Sequence, residues 1–392
     1  MTVRSQPIVD DLAIRWLSLF ATVSSISVVG IAIGLGMPLL SIIMETRGHS
    51  ASMIGLNTAI AGIASIAAAP MATPLAVRFG VVWTMLAMIL LGAFSFVGFY
   101  FAPAFWMWFP LRILLHLALT IVFILSEFWI SSSAPPHRRG LVLGIYATVL
   151  SLGFAAGPWL FSKMGSSGFL PFGTAFVLVV IATIPVLAAW RESPEIVAEG
   201  GSSGFIRYIW LIPTATAAVL VFGAVETGGF ALFPIYGSRI GYSEGDAAVL
   251  LTMVGLGNVL LQIPLGMVSD RIRDRRYLLM ICATVGLLGM LLLPYIHVNW
   301  HVMAGLLFLW GGVVAALYTV GLAHLGSRLA GHELANANAA FVFCYGLGMV
   351  LGPQAVGIGM DVFGADGFAW SLAVFFAGYI VLVLSRITRP NG

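Results

Sequence analysis

Apolar runs, each ended by a short polar stretch or by proline and glycine, recur along the whole chain. The runs are roughly 20 to 30 residues long, the length an α-helix needs to cross ~30 Å of hydrocarbon. They lack the alternation of apolar and polar positions that barrel strands require. Cutting the chain at its punctuation predicts twelve spans, near 13–38, 51–76, 80–101, 104–132, 139–163, 169–190, 206–238, 244–269, 277–296, 300–328, 333–360 and 366–387. The longest polar interruption, "RESPEIVAEGGSSGFIR" at residues 191–207, is rich in Glu, Gly and Ser and reads as a linker. It divides the spans six and six. The expected organisation is a first six-helix bundle over 1–190, a linker over 191–205 and a second six-helix bundle over 206–392. The opening stretch, "MTVRSQPIVDDLAIRW", runs into an apolar segment too long for a signal-peptide core and without a small-residue cleavage site, which predicts a retained first helix.

Composition narrows the class further. Of the 392 residues, 60% are hydrophobic and 8% charged, far more apolar surface than a water-soluble core of this length needs, so the chain is an all-α integral membrane protein. No soluble segment is long enough to hold an enzyme site, and no GxxxxGK[ST] loop supports direct drive by ATP. Neither enzymatic activity nor a cofactor is expected. Cys282 and Cys344 sit inside apolar runs without ligand spacing and read as buried thiols, not as a metal site or a disulfide framework.

The basic residues orient the chain, because Lys and Arg near helix ends are retained on the cytoplasmic side. With both termini inside, 14 of the 18 basic residues fall in cytoplasmic segments, among them Arg78, Arg138, Arg139, Arg191 and Arg207. Arg47, Lys163 and Arg239 fall outside, and Arg112 lies within a span. This orients a multi-pass protein with both termini on the cytoplasmic side. The net charge of +3 and the inner-face arginines suit anionic lipid and not nucleic acid.

One inner segment, "SDRIRDRR" at 269–276, is far more charged than its surroundings. It has a counterpart. "TPLAVRFGVV" (73–82) aligns with "GMVSDRIRDRR" (266–276), with Arg78 matching Arg271 at an offset of 193. A second landmark repeats at nearly the same distance: "GFAAGP" (Gly153, Gly157, Pro158) and "GMVLGP" (Gly348, Gly352, Pro353) are both GxxxGP, offset by 195. Two landmarks with nearly one displacement indicate two related six-helix halves. The GxxxGP glycines read first as packing positions, where small residues let helices approach and proline bends the ladder.

These pieces together resemble the major facilitator superfamily over essentially the whole length. "GMVSDRIRDRR" is similar to that family's GxxxDRxGRR loop, with Arg273 and Asp274 where one glycine is usual. Arg112 in "PLRILLH" matches the family's membrane arginine, although His116 occupies a usual glycine position. "GFAAGP" looks like the fifth-helix motif of proton-driven exporters. With "QIPLG" (262–266) and "RRGLVLGIYATVLSLGFAAGP" (138–158), the set resembles small bacterial drug-efflux-like permeases. The resemblance implies two halves that rock about a central site, with inner loops closing the cytoplasmic side when the cavity faces out. In that picture Asp270 meets the N-terminal end of the fifth span and the adjacent Arg138 and Arg139. Arg78, Arg271, Arg275 and Arg276 belong to the same latch. The first-half counterpart of Asp270 is Val77, so the latch is expected to be asymmetric. The alternative is that Asp270 and Asp274 only offset neighbouring arginines.

Ionisable groups inside spans are few, and a charge in hydrocarbon costs several kcal/mol unless it faces a cavity or a partner. Arg112, His116 and Glu127 share roughly one face of the fourth span, Glu127 about 16 Å further inward. This stripe is expected to line an aqueous path; Arg112 could instead reach the outer interface, and Glu127 could bond inner-loop backbone. Glu226, in "FGAVETGGFALFPIY", is the candidate proton carrier, with Gly223, Gly228, Gly229 and Pro234 expected to loosen its helix. A permanent pairing with a neighbouring helix is the other reading. Asn258, Gln262, Tyr318 and Asn336 are candidates for substrate contact or for helix–helix hydrogen bonds. The expectation for the whole is a monomeric, proton-coupled antiporter exporting a small, partly apolar molecule, or a symporter of the same fold importing a metabolite.

Overall fold

The computed structural model describes residues 16–134, 138–194, 196, 205–327, 329 and 331–388. The helices are α1 (Trp16–Thr46), α2 (Ala51–Phe79), α3 (Val81–Phe101), α4 (Trp108–Ser133), α5 (Arg139–Met164), α6 (Leu170–Ile181), α7 (Thr183–Ala188), α8 (Ile206–Leu211), α9 (Pro213–Arg239), α10 (Glu244–Arg271), α11 (Arg275–Ile296), α12 (Trp300–Gly326), α13 (Gly331–Phe363) and α14 (Gly367–Ile387). Among its described residues the chain is all-α; α6 with α7 forms one span, and α13 and α14, separated by the turn Gly364–Asp366, form two, which gives twelve spans. Large apolar side chains such as Phe94, Val374 and Val381 point outward from the bundle, a surface suited to lipid tails.

Several boundaries differ from those the hydrophobic pattern predicts. α1, expected to end at Pro38, continues through it to Thr46, and α2, whose expected span already contained Pro70 and Pro74, runs on to Phe79. Neighbouring helices can satisfy the backbone groups a proline frees inside a membrane bundle. The α2–α3 connection therefore shrinks to Gly80, whose φ of +85° is one that L side chains rarely adopt. The sixth span breaks at Ala182, and the seventh begins at Pro213, set off from the short α8 by Ile212.

The halves repeat one another in local detail. Ser50 caps α2 by accepting from Met53 N–H, and Ser243 caps α10 by accepting from Asp246 N–H. Their backbone angles nearly coincide, at −66°, 157° and −67°, 157°. The preceding helices end at Thr46 and Arg239, each four residues before its capping serine. Within the first half α1 packs on α5, and within the second α9 packs on α13; between halves α2 meets α13 and α10 meets α5. These contacts are close because glycines line them. Gly153 faces Gly30, Gly157 faces Gly34, Gly348 faces Leu220 and Gly352 faces Ala224, each with backbone where a Cβ would lie. Such an approach brings whole backbones into van der Waals contact.

We call the end carrying Ser50 and Ser243 outer and the opposite end inner, following the arginine distribution. At the outer end Asp361 accepts from Ala51 N–H (3.0 Å) and Ser52 N–H (2.9 Å) across the halves. Arg239 pairs with Glu45 (3.4 Å), and Ser166 donates to Glu244 (3.0 Å). The halves are thus joined at the outer end.

Candidate functional site: the cavity beside Glu226

α9 carries Glu226 midway along an unbroken helix. The expected loosening at Gly223, Gly228, Gly229 and Pro234 does not occur. Gly223 instead admits the carbonyl of Tyr345, and Gly228 admits the Gly352 backbone, so two of these glycines serve close packing against α13. Glu226 lines a cavity of about 50 Å³ whose walls include Phe154, Phe222, Phe230, Phe233, Trp310 and Phe368. That is small beside the roughly 300–1,000 Å³ of pockets that take drug-sized ligands, so the walls must part to admit a molecule of that size. Phe154 comes from the first half and meets Phe230 edge to face at 5.8 Å, so the cavity sits at the junction of the halves. Besides Glu226, the polar side chain in the lining is Asn258, whose Oδ1 is buried without a partner. Tyr345 Oη donates to Glu226 Oε2 at 2.5 Å.

The fourth-span stripe divides. Arg112 and His116 are buried, 1% and 3% exposed, and do not line this cavity; Arg112 Nε donates to Asn57 Oδ1 of α2 at 3.0 Å. Glu127 is exposed and lies within Coulombic range of Tyr146 and of Tyr318 in the other half. The three share a helix face, but what covers that face changes along its length. α2 packs over its outer part, where Asn57 meets Arg112 and Ser65 meets Thr120, and leaves Glu127 uncovered. An aqueous path along all three is therefore not present here.

Gln262, one turn beyond Asn258, is half-buried and outside the cavity lining. Tyr318 packs on Phe222, Phe341 and Tyr345. Asn336 is buried near the start of α13. Tyr345 was missed from sequence; its signal was a tyrosine three residues before GMVLGP, one among ten tyrosines in the chain.

At the inner end Asp270 is exposed and pairs with Arg275 of its own half at 3.7 Å. Arg78, Arg138 and Arg271 are also exposed. The Arg139 side chain lies outside the described residues, so the expected contact of Asp270 with the start of α5 is seen only as absent at Arg138. Asp274 has a separate role. It caps α11 through Arg276 N–H and grips the Arg276 guanidinium at 2.8–3.0 Å. Those hydrogen bonds hold its carboxyl below the usual carboxylate range.

Twelve spans in two related halves, with a carboxylate-bearing cavity where they meet, define a membrane transporter and not an enzyme. The chain belongs to the Major Facilitator Superfamily, whose family model matches residues 22–257 and 217–392. It is 29% identical over 379 residues to the uncharacterized MFS-type transporter YfkF of Bacillus subtilis (strain 168), covering 94% of this chain and 95% of that one. It is 24% identical over 301 residues to the uncharacterized MFS-type transporter YcaD of Salmonella typhi, covering 75% and 76%. Among solved structures, the nucleoside transporter NupG in a D323A mutant form matches with TM-score 0.76 at 14% identity, covering 94% of this chain and 98% of that one. A D-xylose-proton symporter matches with TM-score 0.73 at 15% identity, covering 95% and 97%. At such identities these structures share the fold.

Proposed function

We propose that the protein is a proton-coupled antiporter that exports a small, partly apolar molecule across a bacterial cytoplasmic membrane, as a monomer with both termini inside. The observation that carries this reading is Glu226. Among the described residues it is the one acidic side chain lining an aromatic-walled cavity at the junction of the halves, and an ionisable group at that depth marks an ion or substrate path. In alternating access, Glu226 takes a proton from the outside when the outer end opens and releases it inside when the substrate enters. The aromatic walls supply apolar contact, and Asn258 offers the substrate an acceptor. The expected division into bundles of 1–190 and 206–392, with a linker at 191–205 that lies largely outside the described residues, supplies two bodies that tilt against each other. Asp270, exposed at the inner end here and paired with Arg275 of its own half, is the group that would reach the start of α5 when the inner end closes.

The test is Glu226→Gln in proteoliposomes loaded with compounds selected by thermal-shift screening of the purified protein. Gradient-driven movement should be lost while energy-independent exchange persists. Unchanged gradient-driven transport would sink the assignment. Because a D-xylose-proton symporter shares the fold, the direction of proton movement on substrate addition decides between export and uptake.

A further inference from the structure

Glu226 has a partner whose placement ties the site to the joint between the halves. The Tyr345 phenol donates its single O–H to Glu226 Oε2 at 2.5 Å. A hydrogen bond to an ionised acceptor is roughly twice as strong as one to a neutral acceptor, so this donor favours the deprotonated carboxylate. The phenol has little freedom to leave by itself. Its ring stacks on Phe222, one turn before Glu226, with centroids 6.2 Å apart at 25°, and meets Tyr318 edge to face at 6.0 Å. Its own carbonyl fills the space a side chain on Gly223 would need.

The next residue belongs to the interface. A Cβ on Gly346 would lie 2.5 Å from Ile66 Cγ1, and a Cβ on Gly62 would lie 2.8 Å from the Gly346 carbonyl. Ile66 and Gly62 are on α2, in the other half. Thus α2 rests directly on the turn of α13 that presents Tyr345, whereas Glu226 is carried by α9. A shift of α2 therefore acts on the turn that holds the phenol, while α1 and α2 also touch α9 itself.

The other groups around Glu226 do not duplicate this donor. Tyr318 on α12 lies within Coulombic range of Glu226 and of Glu127 on α4. α10 presents Asn258, α11 Met290 and α14 Phe368, and among the described cavity-lining residues there is no Lys, Arg or His.

We propose that Tyr345 is a positioning residue that times proton exchange at Glu226: its O–H holds the carboxylate while the outer end is closed, and is withdrawn when α2 shifts on the Gly346 turn. The proposal rests on reading Glu226 as the proton carrier. With the phenol withdrawn, the carboxylate takes a proton from outer water and becomes a carboxylic acid. When the contact reforms, that proton passes to inner water. Tyr345 keeps its own proton throughout.

Infrared difference spectroscopy of the full chain in lipid nanodiscs, titrated with pH, tests this without any substrate. A protonated-carboxyl band should titrate in the wild type and vanish in Glu226→Gln. In Tyr345→Phe its midpoint should move about one pH unit upward, the equivalent of one hydrogen bond to a charged group. Replacing Tyr345 with 3-fluorotyrosine, which keeps the shape and strengthens the donor, should move the midpoint downward. Midpoints unmoved in both variants, or moved in the same direction by both, overturn the role of Tyr345. Should Tyr345→Phe fail to fold, the fluorinated variant decides by itself. If no band is lost in Glu226→Gln, it is the reading of Glu226 that fails, and the proposal fails with it.

Discussion

Asp361, near the outer end of α13, closes the first turn of α2 in the opposite half by accepting the N–H groups of Ala51 and Ser52. The start of a helix presents unpaired N–H groups and a partial positive charge, so a carboxylate there is held by hydrogen bonds and by the helix dipole together. What is unusual is that the two partners must separate if the outer end is to open. Asp361→Ala should therefore favour the outward-open state. A loss of about 1 kcal/mol corresponds to roughly a fivefold population shift. Distance measurements between spin labels on the outer turns of the two halves would read it. An unchanged distance distribution would show that the glycine-lined α2–α13 contact alone keeps that end shut.

The α9–α13 contact makes a second expectation, on stability. A Cβ on Gly352 would collide with the backbone of Ala224, whereas one on Gly229, in the same region of α9, meets nothing within 4 Å. Gly352→Ala should lower stability by about 1–3 kcal/mol, the usual cost of overpacking a site that cannot give way. Gly229→Ala should be neutral or slightly stabilising, since alanine is the better helix former. Thermal unfolding in detergent compares the two, and equal midpoints would contradict the packing account.

Much of the architecture could be read in the chain because lipid imposes a length on every span and topology marking imposes a charge bias. The 193-residue offset between Arg78 and Arg271 reappears in the paired caps Ser50 and Ser243, which shows that the repeat extends into turn geometry. What could not be read was which faces meet. Arg112, His116 and Glu127 do share a helical face, but α2 covers the first two and not the third. Periodicity along one helix carries no information about the length over which a neighbour covers it. Tyr345 was invisible for the same reason: its partner Glu226 is 119 residues away, and the meaning of either depends on the contact of α9 with α13. Pro38 misplaced the end of the first span because its cost in water is relieved inside a bundle, where α1 runs on to Thr46.

Asp274 offers a pH-dependent prediction outside the membrane. Its carboxyl is held below the usual range by Arg276, so its contribution to stability is complete above the unfolded pKa of about 3.9 and is lost as pH falls through the lower folded value. Asp274→Ala removes a cap, at a cost of about 1 kcal/mol or less given its partial exposure. Amide exchange in the first turn of α11 should accelerate about fivefold at neutral pH, and the difference from wild type should vanish in strong acid. Acceleration that persists below both values would mean that Asp274 acts through shape and not through charge.

Asp270 is the charge whose purpose the present arrangement leaves open, since its contact with Arg275 at 3.7 Å is long and largely exposed to solvent. Exposed pairs of this kind contribute about 0–1 kcal/mol, too little to explain an aspartate at the end of a spanning helix by local pairing alone. If the inner end closes as the outer end opens, Asp270 at the end of α10 is brought toward α5, because α10 and α5 already pack against each other between the halves. There it would find unpaired N–H groups, as Asp361 finds them at α2. Asp270→Asn should then slow turnover several-fold while leaving substrate affinity nearly intact, because an amide keeps the shape and one acceptor but loses the charge that the helix end attracts. Asp270→Glu should recover part of the rate. Transport kinetics in proteoliposomes separate the outcomes: a large change in apparent affinity at normal turnover would place Asp270 in the substrate path and remove it from the closing of the inner end.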